Sequence, residues 1–256
     1  LGSQRKTDKG WFYDICKANG ESVTVYDCTY GNHRLSDFTS KGCKNGSCHN
    51  GKDLLSGIDL KSIDYVFISE AGTNNSNFVR DVKNVIKRFP SKTQYIYLSH
   101  SYSYIKNHTN ITKKLGELQK LGVMVVEWGK LVDDVIDGRT KVSGATVKYT
   151  KNTFIKNKGD THHPNPLAGY ITAQMAYCAV TGKTAVGQMP DVYNNGNSVK
   201  YGQSVVGYSA FISKHYKSST SSNFKTVMKS KADIKGLQKL MNKYLAARGL
   251  GVDAKK

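Results

Sequence analysis

Asp64-Tyr65-Val66-Phe67-Ile68-Ser69 is a compact apolar run of the kind that forms a buried strand. The segments downstream of it decide the fold. Phe78 to Phe89 places apolar residues at Phe78, Val82, Val85, Ile86 and Phe89, which is helical spacing. Gln94-Tyr95-Ile96-Tyr97-Leu98-Ser99 reads as a second strand. Ile111 to Leu121 reads as a second helix, stopped by Gly122. Val123-Met124-Val125-Val126-Glu127-Trp128 is a third apolar strand, followed by a short helix from Lys130 to Ile136. Strands alternating with helices predict a mainly parallel sheet covered on both faces, a three-layer α/β/α sandwich. Ligands of such sheets sit beyond the carboxyl ends of the strands. That rule marks the loops after Cys28, Ser69, Ser99 and Trp128.

Working outward, Trp11 to Ala18 reads as a short helix ended by Gly20, and Ser22 to Cys28 alternates polar and apolar residues as a strand does. Thr39 to Asp53 is a loop with neither period. Pro166 to Val180 is the clearest helix of the chain. Asn165 is a good N-cap, Pro166 suits the first helical position and Gly182 follows the end. Leu167, Tyr170, Ile171, Met175 and Cys178 form its apolar stripe. Residues 190–230 are rich in Asn, Gly, Ser and Tyr and read as a lid, a β-rich excursion or a surface extension, with Ser218 to Asn223 as a linker. Ile234 to Leu245 carries a helical stripe and reads as a docking helix. The expected division is a catalytic-type domain over 1–187 and an extension over 188–256. There is no internal repeat.

The chain has 256 residues, 38% of them hydrophobic, enough for a real core. No apolar run approaches the roughly 18 residues of a membrane span. The chain opens on Leu1, which reads as a fragment or processed product with any signal peptide upstream. The formal net charge is +19. The basic residues are spread along the chain without a block of like charges, which argues against a nucleic-acid arm. A field this positive still attracts acidic polymers. Cys43 and Cys48 share the loop Gly42-Cys43-Lys44-Asn45-Gly46-Ser47-Cys48, which favours a small disulfide and an oxidising compartment. A metal site with His49 is the weaker reading, because no second Cys or His pair stands at zinc-site spacing. Cys16, Cys28 and Cys178 fall in apolar segments and read as core.

Chemistry concentrates just before the capped helix. Asp160 and His163 stand three residues apart in a loop bounded by Gly159 and Pro164. A carboxylate beside an imidazole holds one tautomer and stabilises the imidazolium that forms when the ring acts as a base. Spacing alone equally suits a solvated loop. The longer block Asp160-Thr161-His162-His163-Pro164-Asn165-Pro166-Leu167-Ala168-Gly169-Tyr170, continuing to Tyr177 and Thr181-Gly182-Lys183, resembles the last block of the SGNH/GDSL hydrolases. The resemblance implies a flavodoxin-like SGNH fold whose first strand is missing here. It also implies that Asp160 orients the ring of His163 and that His163 is the base.

Two other blocks are similar to that family. Tyr30-Gly31-Asn32-His33 follows the strand ending at Cys28, and Gly72-Thr73-Asn74-Asn75 follows the strand ending at Ser69. The resemblance assigns the Gly31 backbone N–H and the Asn74 side-chain amide to the oxyanion hole. Asn75 departs from the usual Asp. Donors of this kind each contribute about 3 kcal/mol in the transition state. Ser3, in Leu1-Gly2-Ser3-Gln4, stands in about the place of the family's nucleophile but lacks the residue expected between Gly and Ser. Three explanations stay open. Ser3 is the nucleophile of a shortened motif, or the nucleophile lies upstream, or the chain is an inactive relative or begins with a vector remnant. His100 and Trp128, at strand ends, are candidates to line the cleft, with Trp128 as a sugar-stacking platform; ordinary loop packing is the competing reading.

The expectation is therefore a carboxylic ester hydrolase acting on O-acyl, chiefly acetyl, groups of a carbohydrate or on a small ester. It needs no metal or organic cofactor, and the expected location is extracellular or at the cell wall. The alternative is a catalytically inactive SGNH-scaffold protein that binds glycan or wall polymer. A metal-dependent hydrolase using Asp160, His162 and His163 is disfavoured by the crowding of its ligands.

Overall fold

The computed structural model describes residues 6–7, 11–28, 34–39, 53–69, 76–99, 108–155, 164–187, 194–195, 198–201, 204–207 and 223–252. Numbered along the chain, the strands are β1 (Lys6–Thr7), β2 (Val25–Tyr26), β3 (Tyr65–Ile68), β4 (Gln94–Leu98), β5 (Met124–Val126), β6 (Asn194–Asn195), β7 (Ser198–Tyr201) and β8 (Ser204–Gly207). The helices are α1 (Trp11–Ala18), α2 (Phe78–Ile86), α3 (His108–Lys120), α4 (Trp128–Ile136), α5 (Lys151–Phe154), α6 (Pro166–Thr181), α7 (Asn223–Lys229) and α8 (Lys231–Ala246). The chain divides into two compact units.

The first unit spans residues 1–8, 24–100 and 105–125 and is the α/β part. Its three-stranded parallel sheet has the order β3-β4-β5, with Val66 opposite Tyr95 and Ile68 opposite Tyr97. Successive strand residues point to opposite faces. Tyr95, Ile96 and Tyr97 are all buried, so both faces are covered at β4, as expected of a parallel sheet. β3 differs from its expected burial: Tyr65 is 39% exposed, because β3 lies at the edge of this sheet. Helix α2 buries Phe78, Val82 and Val85 on one face, and Phe78 meets Tyr97 edge-on with centroids 5.3 Å apart. Each such side chain contributes about 1.5–3 kcal/mol when fully buried.

The strand expected over 22–28 is shorter than its alternation suggests. Only Val25–Tyr26 forms a ladder, antiparallel to Lys6–Thr7. An alternating segment becomes a strand only as far as a partner supplies hydrogen bonds, and β1 is two residues long. Arg88 closes this unit by donating to Asp53 at 2.6 Å and to the Phe38 carbonyl at 2.8 Å.

The second unit spans residues 9–23, 101–104 and 126–256 and is largely helical. Helix α6 is buried nearly all round: Leu167, Ala168, Tyr170, Ile171, Met175, Tyr177 and Cys178 are all at 0% exposure. Helix α1 packs against it, with the rings of Trp11 and Tyr170 at 5.8 Å. Helix α8 docks on α4, α6 and α7. Residues 194–207 contain an antiparallel meander of order β6-β7-β8, the β-rich outcome for this region. Trp128 corrects a boundary. It does not end a strand but opens α4, because a short apolar run interrupted only at Glu127 carries too little period to separate strand from helix. No helix among the described residues is long and apolar enough to cross a membrane.

Candidate active site

The block that carries Asp160 and His163 re-enters the described structure at Pro164, and the re-entry is firmly built. Ile155 and Pro164 form an isolated antiparallel bridge, so the residues on either side of 156–163 lie side by side. Asn165, 3% exposed, then makes four hydrogen bonds, one of them through its carbonyl, which accepts from the Gly169 N–H at 2.9 Å. Its backbone N–H donates to the Phe154 carbonyl at 2.9 Å. Its Nδ2 donates to the Thr153 carbonyl at 2.7 Å, and its Oδ1 accepts from the Ala168 N–H at 3.1 Å. One side chain thus caps α6 and ties its start to α5. Pro166 costs nothing at the first helical turn, where an N–H would have no helical acceptor.

The far end of α6 is fixed as well. Gly182 takes φ 69°, the left-handed C-cap conformation that favours glycine. Glu21 accepts from the Tyr177 hydroxyl at 2.8 Å and from Lys183 Nζ at 2.6 Å. Burial raises the Glu21 carboxyl, but these donors outweigh it and hold it below its usual range. Burial pushes the Tyr177 hydroxyl up to about 12. Tyr177 and Lys183, which belong to the block the sequence singled out, therefore clamp the helix to the segment after α1.

The carboxyl end of the parallel sheet is the second relevant place. β3 and β4 run in one direction, so Ser69 and Ser99 follow them at the same end. Ser99 is 1% exposed, and its Oγ meets no hydrogen-bond partner among the described residues. A buried polar atom left unpaired costs about 1–3 kcal/mol. This one sits where α/β sheets bind their ligands.

Ser3, Gly31, Asn74, His100, Asp160 and His163 all lie outside the described residues, as do His162, Cys43, Cys48 and His49. Trp128 lies within them and is 2% exposed, packed in the interior, so its ring offers no face to a sugar. Cys16 and Cys178 are buried free thiols. Burial, assisted by the Glu21 carboxylate, pushes Cys16 up to about 11, and burial pushes Cys178 to about 11. Thiols held protonated are poor nucleophiles. No cluster of three or more His, Cys, Asp or Glu among the described residues forms a metal site.

Two buried polar centres escape a reading of the sequence: Asp233 and Asp134. Asp134 accepts from Lys130 at 2.6 Å, from Arg139 at 2.6 Å and from the Tyr244 hydroxyl. Burial raises its carboxyl, but these three donors together hold it below the usual range. Most partners of the two carboxylates are set by tertiary packing, although the Lys130/Asp134 spacing of four on a helix is readable. The chain matches no family profile, no curated protein and no solved structure.

Proposed function

We propose that the chain is a serine-dependent ester hydrolase of the SGNH type, which removes O-acyl, chiefly acetyl, groups from a carbohydrate or small ester. The observation that carries this reading is the Asp160–Tyr170 block, whose C-terminal half is a bridged, capped and buried helix start. A general base must be held to within about 0.5 Å, and a segment that leads straight into such a helix start is well placed to meet that need. The parallel sheet fits the same reading, and so does the buried Ser99 hydroxyl, which has no hydrogen-bond partner among the described residues. The sheet and its helices extend, in this proposal, to the three-layer SGNH arrangement.

In the proposed reaction His163 takes the proton from Ser3 Oγ, and Ser3 attacks the ester carbonyl. The Gly31 N–H and the Asn74 amide hold the oxyanion, and Asp160 steadies the imidazolium. The intermediate collapses, the alcohol leaves with the proton from His163, and Ser3 keeps the acyl group. Water then gives a proton to His163 and attacks the acyl-serine. Its collapse returns the proton to Ser3 and releases the carboxylic acid.

The test is labelling with a fluorophosphonate probe and mass spectrometry of the labelled peptide, with His163→Ala as control. Labelling at Ser3 that disappears in the control is the expected result. A folded protein that takes no label and releases no acetate from acetylated sugars would overturn the catalytic reading and leave a binding role on the same scaffold.

A further inference from the structure

Helix α8 turns four lysines outward in one slanting row. Lys231, Lys235, Lys239 and Lys243 recur at every fourth residue, and all four are exposed. Four residues advance a helix by about 6 Å, so the row extends for about 18 Å. The helix is not free to roll. Asp233 faces Thr146 and Tyr149, Gln238 donates to the Tyr170 hydroxyl at 3.0 Å, and Tyr244 donates to Asp134. At Gly236 a Cβ would stand 2.2 Å from the Ser143 carbonyl oxygen. These contacts fix which side meets solvent.

The row runs against local electrostatics. Like charges four residues apart repel along a helix. Lys231 also stands in the first turn, where the helix dipole disfavours cations. A helix face that served solubility alone would intersperse both signs. Here the only acid from 223 to 252 is Asp233, and it is buried. Lys235, Lys239 and Lys243 make no ion pair among the described residues.

The surroundings of the row select the partner. Tyr244 is the helix's one aromatic, and it is engaged by Asp134, so the row offers no platform for stacking bases. Ile234, Leu237, Leu240, Met241 and Leu245 are buried, which leaves no apolar face to enter a bilayer. The cations are all lysines, compact point charges that meet phosphates singly, without the planar fork that lets arginine grip carboxylates and phosphates alike through two bonds. Arg248, five residues beyond the row in sequence, is already donating to Glu127 at 2.5 Å. We propose that the α8 lysine row binds a linear phosphodiester polymer without bases, laying successive phosphates against successive lysines. This does not depend on the hydrolase reading.

The test measures binding of a fluorescent oligo(glycerol phosphate) by anisotropy across a salt series. One variant carries Lys235→Gln, Lys239→Gln and Lys243→Gln. A second loses the same charge elsewhere, at the exposed Lys61, Lys83 and Lys120, each to Gln. Glutamine keeps helix propensity, and circular dichroism checks the fold. The row variant is expected to bind about thirtyfold more weakly at about 50 mM salt, with a salt slope shallower by about 2, while the control changes less than about threefold. Equal losses in both variants would reduce the effect to bulk charge and overturn the proposal. So would row-dependent binding of single-stranded oligodeoxynucleotide or phosphatidylserine vesicles in place of the phosphodiester.

Discussion

Tyr149 donates its hydroxyl to Asp233 at 2.7 Å, joining the segment after α4 to the first turn of α8. The same carboxylate, fully buried, accepts from the Thr146 N–H at 3.1 Å and from the Thr146 hydroxyl at 2.5 Å. The Asp233 N–H in turn donates to Ser230, the N-cap of α8. A buried charge survives only when it is paired or well hydrogen-bonded, and here neutral donors supply everything. Asp233 thus decides where α8 begins and which of its faces turns inward.

Asp233→Asn is expected to cost about 2–4 kcal/mol, because an amide cannot accept at every place the carboxylate does. Urea unfolding at neutral pH measures this. Burial raises the Asp233 carboxyl, but the hydrogen bonds from Ser230, Thr146 and Tyr149 outweigh it and hold it below its usual range. A lowered folded-state pKa gives stability that is present above the unfolded value, about 3.9, and lost as pH falls through the folded value. The gap between wild type and variant should therefore narrow below about pH 4. A gap that stays constant down to about pH 2 would mean the carboxylate charge is not what matters.

Two helical glycines should respond in opposite directions to alanine. Gly236 on α8 would drive its new Cβ to 2.2 Å from the Ser143 carbonyl oxygen and 2.7 Å from Val142 Cγ1. Overpacking of this kind costs about 1–3 kcal/mol and outweighs the helix-propensity gain. Gly116 on α3 has nothing within 4 Å of the Cβ position. There alanine should stabilise by about 0.5–1 kcal/mol. Thermal melts of the two single variants check the pair.

The parts legible in the sequence are those whose signal is local. β3, β4 and β5 stand out as short apolar runs between helical periods, and the ends of α6 are spelled out by Asn165, Pro166 and Gly182. The apolar stripe of α8 is equally plain. Its inward polar contacts are not, since Asp233, Gln238 and Asn242 find partners at Tyr149, Tyr170 and Thr184, far away along the chain. The short α5 carries no period that would announce it. Trp128 reads as a strand end for a related reason: only Glu127 separates it from the apolar run Val123 to Val126, which is too little to mark where β5 stops and α4 starts. The catalytic candidates rest on motif and order, and Ser3, Gly31, Asn74, Asp160 and His163 fall outside the described residues.

Loss of the clamp on the far end of α6 should be mild. Glu21 and Lys183 are both partly exposed, with side-chain exposures of 35% and 43%. Water and salt screen such a pair, so Glu21→Gln should cost less than about 1 kcal/mol. Glutamine still accepts from Tyr177, so a loss well above that by urea unfolding would mean that the ion pair with Lys183, rather than the Tyr177 hydrogen bond, carries the clamp.

Asn165 stands between α6 and the segment of sequence that carries Asp160 and His163. Its Oδ1 caps the helix and its Nδ2 holds the Thr153 carbonyl. Asn165→Ala removes both and should cost about 1–2 kcal/mol, the usual range for a lost cap. Asn165→Asp keeps an acceptor for the Ala168 N–H but sets a carboxylate against the Thr153 carbonyl. The helix should then hold its cap while Ile155 and Pro164 loosen, since the Thr153 bond braces the strand of chain leading to that bridge. If His163 is the base of a hydrolase, Asn165→Asp should lower kcat on an acetylated substrate by about tenfold or more, because an ångström of misplacement is costly in catalysis. KM should change little, since ester binding does not use this side chain. Stopped assays on the two variants, beside their unfolding curves, decide the point. Activity that falls only in step with the folded fraction would mean that Asn165 serves the helix alone.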